Sequence, residues 1–429
     1  MKGDSMILIK NGHLVDPKSK RDEQTDILIK DGKILSIRPA TADEEAACET
    51  IIDAEDFIVA PGFVDTHVHF RDPGFTYKED IHTGAEAAKR GGFTSVICMA
   101  NTNPVVDNAE TLDYVLAEGK KTGIHVYSAA SITKGMKGEE LTDFKTLKEH
   151  GAVVFTDDGM PIMNEQLLIE AMKLAKELDM PLSFHEEDKN IITNNGINEG
   201  RIAALFGVTG SPSTAEELLI ARDCLLAGYI GTRICIQHIS TKGGVQNVRI
   251  ARAMGTHVVA EATPHHFSLT EEALLEHKTL AKMNPPLRTD SDRREIISGL
   301  NDNTISIIAT DHAPHSKEEK DKALTEAPSG IIGLETSLAL GMSYLVNRSL
   351  LSLMDFISRM SYQPAKFYGL HAGYIEEGGP ADLVLFHPTE LWTVEDFKSK
   401  SSNSPFLGQT LQGRVRCTIC NGNIVYQDI

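Results

Sequence analysis

Pro61-Gly62-Phe63-Val64-Asp65-Thr66-His67-Val68-His69-Phe70-Arg71 is the stretch from which the rest of the chain can be read. Phe63 to Phe70 reads as a strand, and side chains two apart on a strand share a face, so His67 and His69 point the same way. They stand at the C-terminal end of that strand, where active sites of parallel α/β barrels form. One metal ion could take both imidazoles.

Working outward, seven more runs rich in Val, Ile and Phe follow: Thr94 to Ala100, His125 to Ala130, Ala152 to Thr156, Pro181 to His185, Arg233 to His238, His257 to Ala262 and Ile305 to Thr310. Amphipathic helical stretches separate them, among them Asn164 to Asp179, Ala215 to Gly228 and Gly244 to Met254, several closed by glycine. Eight β/α units predict an α/β fold with a closed (β/α)8 barrel over residues 61–374, although a doubly wound open sheet would alternate in the same way. No Gly-x-Gly-x-x-Gly follows the first strand, so nothing supports dinucleotide binding.

Both ends of the chain read differently. Ile7 to Lys10 before Asn11-Gly12, Asp26 to Lys30 before Asp31-Gly32, and Lys33 to Ile37 are short strands with turn signals. Ala381 to Phe386 and a hairpin, Arg416 to Ile419 with Ile424 to Tyr426 around Asn421-Gly422-Asn423, match them at the other end. Residues 1–60 and 375–429 are therefore expected to join as one small β domain of sandwich type. Met1 to Ser5, ahead of the first strand, read as an alternative start or an added remnant.

Composition narrows the function classes. The chain has 429 residues and a formal charge of -19, with no Lys/Arg cluster of the kind that binds a polyanion, so a nucleic-acid partner is not expected. No apolar stretch approaches the roughly 20 residues that span a bilayer, and the N-terminus has no secretory h-region. Cys48, Cys98, Cys224, Cys235, Cys417 and Cys420 are scattered like reduced thiols, which fits a cytoplasmic protein. Cys417-x-x-Cys420 lies in a strand, where period 2 sends its two thiols to opposite faces, so it is read as structural.

Other predicted strand ends carry ligand-type residues too: Asp157 and Asp158, His185, His238 and Asp311. Any one of these would more often be a cap or a hydrogen-bonded core residue. Five strand ends of one barrel converge, however, and their joint occupation by His and Asp points to a metal site. Imidazoles and carboxylates without thiolate favour zinc, with manganese or cobalt as alternatives. Six ligands exceed what one catalytic ion needs, and suit two ions about 3.5 to 4 Å apart bridged by a carboxylate and a hydroxide.

These residues resemble the amidohydrolase superfamily and, within it, the dihydroorotase family, along essentially the whole chain. Pro61 to Gly74 looks like that family's opening motif, and Ala309-Thr310-Asp311-His312-Ala313-Pro314-His315 like its closing one. Met99 to Thr102, Phe155 to Gly159 and Asn284 to Arg288 are similar to others. Many relatives bridge two metals with a carboxylated lysine on the fourth strand. The run Ala152 to Thr156 has none, which resembles a bacterial branch using aspartate and favours Asp158 over Asp157 as the bridge.

The resemblance implies reversible hydrolysis of dihydroorotate to N-carbamoyl-L-aspartate in pyrimidine synthesis. It implies His67, His69, Asp158, His185, His238 and Asp311 as ligands of two zinc ions, with Asp311 also moving the proton between nucleophile and leaving nitrogen. Arg71, two residues past His69, is placed to clamp the substrate carboxylate. Asn101 and His315 would complete that pocket, Asn284 would bond the ring, and Ser329 and Gly330 would contact substrate through their backbone. Where the family has Phe-Gly after a proline, this chain reads Pro328-Ser329-Gly330. His265 and His266 are read as supports, and His312 as an orienting residue. A homodimer and association with aspartate transcarbamoylase are compatible with the likeness. Two alternatives stay open: a hydantoinase, dihydropyrimidinase or allantoinase, for which a carboxylate clamp has no purpose, and a non-catalytic partner of aspartate transcarbamoylase, which would have lost ligands.

Overall fold

The structure is a computed structural model and describes residues 6–429. The stretch Met1 to Ser5, read above as an alternative start or remnant, lies outside the described residues.

The first strands, β1 (Met6–Asp16), β2 (Arg21–Lys30), β3 (Lys33–Ile37), β4 (Thr50–Asp53) and β5 (Ile58–Pro61), begin a sheet that the last part of the chain completes. Asn11-Gly12 does not turn the chain as its dipeptide signal suggested. Asn11 takes φ 59° and with Lys10 opposes the single residue Asp26, so the pair forms a bulge inside β1. Its amide donates to Asp26 Oδ1, 2.9 Å away, which fixes the bulge. Asp31-Gly32 does turn, with φ of 52° and 77°, as a two-residue hairpin of primed type requires.

Eight parallel strands then follow in sequence order: β6 (Phe63–Val68), β7 (Phe93–Cys98), β8 (His125–Ala130), β9 (Val154–Phe155), β10 (Leu182–Phe184), β11 (Ile234–Ile236), β12 (Val258–Ala262) and β13 (Ile307–Ile308). Each of the eight expected strands is present, shortened where its last residues leave the ladder to form the site. The first and last meet: His69 N donates to His312 O at 2.9 Å, and Thr310 Oγ1 to Asp65 Oδ2 at 2.5 Å. The alternation thus resolves as a barrel, with helices such as Glu165–Glu177, Ser213–Ile230 and Lys242–Ala253 outside it.

Period 2 sorts the strand side chains into two cores. Ile97, Ala129, Val154, Cys235 and Ile307 point inward and pack with Tyr368, while Val96, Ala130, Phe155, Ile234 and Ile308 face the helices. Burying both faces is what makes these runs almost continuously apolar.

The strands β14 (Leu383–Thr393), β15 (Thr410–Cys420) and β16 (Asn423–Gln427) complete the second sheet, in the order β16-β15-β14-β5-β1-β2-β3 with β4 beside β1. One core, including Ile9, Ile29, Val59, Leu385 and Ile419, is shared by strands from both ends of the chain. Cys417 lies in that core and Cys420 in the barrel-side core, on opposite faces as period 2 requires. The Asn421-Gly422 turn sits against the Asp31-Gly32 turn so closely that a Cβ on Gly422 would lie 2.7 Å from Gly32 Cα. Ala381 ties the two turns, donating to Gly32 O at 2.9 Å and accepting from Gly422 N at 3.0 Å.

A second close approach reaches the site. Gly84, in the helix Ile81–Arg90, faces the ring of Phe70, and a Cβ there would lie 2.3 Å from Phe70 Cδ1. Alanine would gain about 1 kcal/mol in helix propensity, but overpacking a core costs about 1–3 kcal/mol. Gly84→Ala should therefore lower the melting temperature in a calorimetric scan; an unchanged or raised value would mean that the ring has room to move.

Candidate active site

The imidazoles of His67, His69, His185 and His238 leave the ends of β6, β10 and β11 and gather above the barrel, all buried. His67 and His69 share a face of one strand, with ring centroids 5.2 Å apart. His185 and His238 come from neighbouring strands, and Nδ1 of the first lies 3.0 Å from Nε2 of the second.

Asp158 stands between the two pairs. Its Oδ2 is 3.5 Å from His69 Nε2, while Oδ1 is 3.6 Å from His67 Nε2 and 3.7 Å from both His185 Nδ1 and His238 Nε2. Two groups of possible ligands, His67-His69-Asp158 and Asp158-His185-His238, therefore share one carboxylate. Asp311 adds a second carboxylate, with Oδ1 3.0 Å from His69 Nε2 and 3.5 Å from His67 Nε2. Asp157 turns the other way. It accepts from the amides of Ile132 and Thr133 at 2.8 and 3.1 Å and from the Thr133 hydroxyl, so it anchors a loop.

The donor set fits divalent cations. His67 Nε2 is buried with no hydrogen-bond partner and faces two carboxylates at 3.5 to 3.6 Å, too far for hydrogen bonds. Ligand atoms at that spacing can share an ion with bonds of about 2.0 to 2.2 Å. Electrostatics point the same way. Burial opposes ionisation of Asp158 and Asp311, yet the surrounding imidazoles hold both carboxyls well below the usual range. Burial likewise pushes the His67 imidazole down, but Asp158 and Asp311 raise it well above its ordinary value. Two buried carboxylates held in their charged form make this a centre that favours a cation.

Each of three imidazoles turns its second nitrogen to an anchor that fixes its orientation. His67 Nδ1 lies 3.3 Å from Glu261 Oε2, His69 Nδ1 2.9 Å from Asn101 Oδ1, and His185 Nε2 2.9 Å from Glu187 Oε2. Asn101 also donates to Asp158 Oδ2 at 3.1 Å. Asn101 thus touches both His69 and Asp158. Asn284 lies across from it, Nδ2 3.4 Å from His185 Nε2, with its buried Oδ1 unpartnered.

Arg71 forms the rim. It is held at φ 61°, and its Nε donates to Pro314 O at 3.2 Å. His315 Nδ1 lies 3.3 Å from Lys78 Nζ and its Nε2 2.9 Å from Ser329 O, which makes Nδ1 the acceptor and Nε2 the donor. Arg71 Nη2, 3.4 Å from the same Nε2, therefore meets a donor there and keeps its own hydrogens for another acceptor. Burial, then the charges of Arg71, Lys78 and Lys320, press the His315 imidazole down to about 2, so it is neutral. The loop carrying Ser329 and Gly330 is held by its carbonyls: Lys282 Nζ donates to Ala327 O at 2.7 Å, and Lys320 Nζ to Pro328 O and Gly330 O at 2.9 and 3.1 Å. None of these bonds uses the side chain at 329.

Among the supports, His266 spans from Thr263 Oγ1, 2.8 Å, to Pro285 O, 3.0 Å, and so braces the Asn284 loop. His312 lies 3.2 Å from Glu79 Oε2 and accepts from Gly333 N. His265 is buried, and burial lowers it to about 4. Glu261, Glu187, Lys282 and Lys320 were not singled out from the sequence. Glu261 carried a usable signal, a carboxylate within the apolar run His257 to Ala262, and Glu187 lies two residues past His185. The two lysines carried none, since they bond backbone carbonyls, which any residue type supplies.

Comparison with known proteins follows the same lines. A family profile described as Dihydro-orotase-like matches residues 57–244. Dihydroorotase of Clostridioides difficile (strain 630) is 59% identical over 98% of this chain and 100% of its own length. That of Clostridium acetobutylicum is 53% identical over 99% of this chain and 100% of its own. Among solved structures, an L-hydantoinase from Arthrobacter aurescens superposes with a TM-score of 0.87 at 25% identity, covering 99% of this chain and 96% of that one. A dihydropyrimidinase from Brevibacillus agri, at 23% identity and a TM-score of 0.83 over 98% and 95% of the two chains, shares the fold.

The geometry separates the two adjacent aspartates experimentally. Asp158→Ala should abolish retention of divalent metal through desalting, whereas Asp157→Asn, which can keep its bonds to residues 132 and 133, should leave metal content intact. Glu261→Gln and Glu187→Gln should weaken metal binding about 10- to 100-fold in chelator competition. Equal metal loss from the two aspartate variants would overturn the placement of Asp158 at the centre.

Proposed function

This chain belongs to the dihydroorotase family of the amidohydrolase superfamily, and on that premise we propose how its residues carry out the reversible hydrolysis of dihydroorotate to N-carbamoyl-L-aspartate in pyrimidine biosynthesis. The observation that carries the reading is Asp158, one carboxylate that lies within 3.5 to 3.7 Å of all four imidazoles, in a site whose rim carries the unengaged guanidinium edge of Arg71. The sharing of Asp158 supports two ions, and a donor set of imidazole and carboxylate supports zinc. Zinc bound there supplies Lewis acidity, polarising a carbonyl and bringing water within reach of deprotonation near neutral pH.

The chain's own residues do the rest. Arg71 receives the substrate carboxylate through its unengaged Nη hydrogens, a charge-assisted contact. His315, neutral and fixed by Lys78 and Ser329 O, lines that pocket without competing for the anion. Asn284 offers its unpartnered Oδ1 to a ring N–H, and Asn101, which also bonds His69 and Asp158, completes the carboxylate pocket with His315. Ser329 and Gly330 close the far side through the backbone. Asp311, 3.0 Å from His69 Nε2, takes the proton from the attacking water and delivers it to the departing ring nitrogen. In the reverse direction the same carboxyl group assists loss of water on ring closure.

The hydantoinase reading has structural neighbours in its favour, and Arg71 argues against it, because a neutral hydantoin offers no anion to the half-buried guanidinium edge that Pro314 O leaves unengaged. A non-catalytic role is opposed by the complete set of six ligand-type residues. The proposal includes a homodimer, association with aspartate transcarbamoylase, and a cytoplasmic setting, the last supported by six unpaired cysteines among the described residues.

Purified protein should hydrolyse dihydroorotate, and not hydantoin or allantoin, and should lose activity to a chelator and regain it with zinc. Asp311→Asn should cut kcat about 10²- to 10⁴-fold. Arg71→Lys should raise KM for dihydroorotate more than it lowers kcat, since lysine keeps the charge and loses the fork. Dihydroorotate turnover that survives both chelation and Asp311→Asn would sink the mechanism.

A further inference from the structure

The strand pair β14 and β15 brings two ligand-type side chains to one face of the second sheet. Leu383 pairs with Ile419 and both enter the core of that sheet. Asp382 and Cys420, one step further along each strand, stand opposite each other and turn the other way, toward the barrel. There they meet His125, the first residue of β8, whose Nε2 lies 2.9 Å from Asp382 Oδ2. A ring nitrogen of His125, a carboxylate oxygen of Asp382 and the thiol of Cys420 all lie within 4.8 Å of one another, a further group of possible metal ligands among the described residues. It lies at the opposite end of the barrel from Asp158, since β8 carries the chain roughly 17 Å from His125 to the mouth.

We propose that His125, Asp382 and Cys420 hold a divalent ion, zinc by its ligands, that fastens the barrel to the second sheet independently of the site at the mouth. One imidazole, one carboxylate and one thiolate make a donor set that takes zinc in preference to magnesium or calcium, with water as the fourth ligand. Bonds of about 2.0 to 2.3 Å around a tetrahedral ion put ligand atoms roughly 3.3 to 3.7 Å apart. The His125–Asp382 contact would open slightly and the thiol would close in, movements within the reach of side-chain rotation. Cys417 faces the other core, so Cys417-x-x-Cys420 does not chelate as a pair, and Cys420 serves alone.

The surroundings support an ion more than a plain ion pair. Asp382 Oδ1 accepts from Asn421 N at 2.7 Å, which fixes the carboxylate and leaves Oδ2 facing His125. The thiol has only weak partners, Thr94 O and Asn421 Nδ2, each 3.8 Å from Sγ. Burial, then Asp382, push that thiol up, so it keeps its proton until a cation displaces it. Asp382 and Cys420 are buried, while the His125 side chain is 28% exposed and lines a cavity of about 1090 Å³. Asp31, Glu49, Glu376 and Glu377 line the same cavity against a single lysine, Lys33, so the way in is acidic and draws cations.

Cobalt(II) tests the assignment, because a cobalt–thiolate bond gives a sulfur-to-metal charge-transfer band in the near ultraviolet. The ligand-type residues at the mouth include no thiol, so the band reads the Cys420 site whatever number of ions the mouth takes. Metal-free full-length protein titrated with cobalt(II) should develop the band. Cys420→Ser should abolish it and bind one equivalent less, with dihydroorotate turnover of the zinc-loaded enzyme unchanged. His125→Gln, at a half-exposed position that folding tolerates, should weaken the binding that produces the band by at least about 10- to 100-fold. A wild-type protein without the band, a band that persists in Cys420→Ser, or wild-type affinity in His125→Gln would each overturn the proposal.

Discussion

Burying Asp158 at the mouth of the barrel is the constraint from which the rest of the site follows. A carboxylate removed from water is costly unless positive charge surrounds it. Four imidazoles and the positions for divalent ions meet that demand, and each imidazole must then be held so that one nitrogen faces inward. Glu261, Glu187 and Asn101 perform that holding from strand interiors and strand ends. The apolar interior of the barrel, closed below by Tyr368, keeps water from offering these groups other partners.

The same requirement explains the pattern of charge around the rim. The chain is acidic overall, yet Arg71, Lys78, Lys282 and Lys320 are gathered near one side of the site. Lys282 and Lys320 spend their hydrogens on loop carbonyls, and Lys78 on His315 and Glu319, so they build the wall. Arg71 alone presents an unengaged edge to the pocket. An anion entering this pocket meets the opposite sign from the one it meets in approaching the molecule.

Much of this was legible in the sequence because it rests on local geometry. Period 2 paired His67 with His69 and separated Cys417 from Cys420, and the alternation of apolar runs with helices counted out eight strands. The choice between Asp157 and Asp158 was not legible from spacing: neighbouring residues at a strand end face opposite sides, and which side is the centre depends on the distant Ile132-Thr133 loop. Asn11-Gly12 misled because the same dipeptide that turns a hairpin can sit in a bulge when the partner strand, here Asp26, supplies the hydrogen bond. Glu261 could have been found, since a charge in a buried strand needs a reason.

The back-to-back turns at Gly32 and Gly422 carry a consequence for how the molecule is made. β5 lies between β1 and β14, and β14 leaves the ribosome only after the entire barrel has been synthesised. Until then β5 is a sheet edge with free amides and carbonyls beside an unfinished core, the kind of surface that recruits stray strands. The barrel can close from its own eight strands as they emerge, while the N-terminal strands wait for the C-terminus. A chain halted before Leu383 would thus hold every ligand-type residue of the site and still expose that edge, so the last tenth or so of the sequence covers what the rest of the chain leaves open to its neighbours.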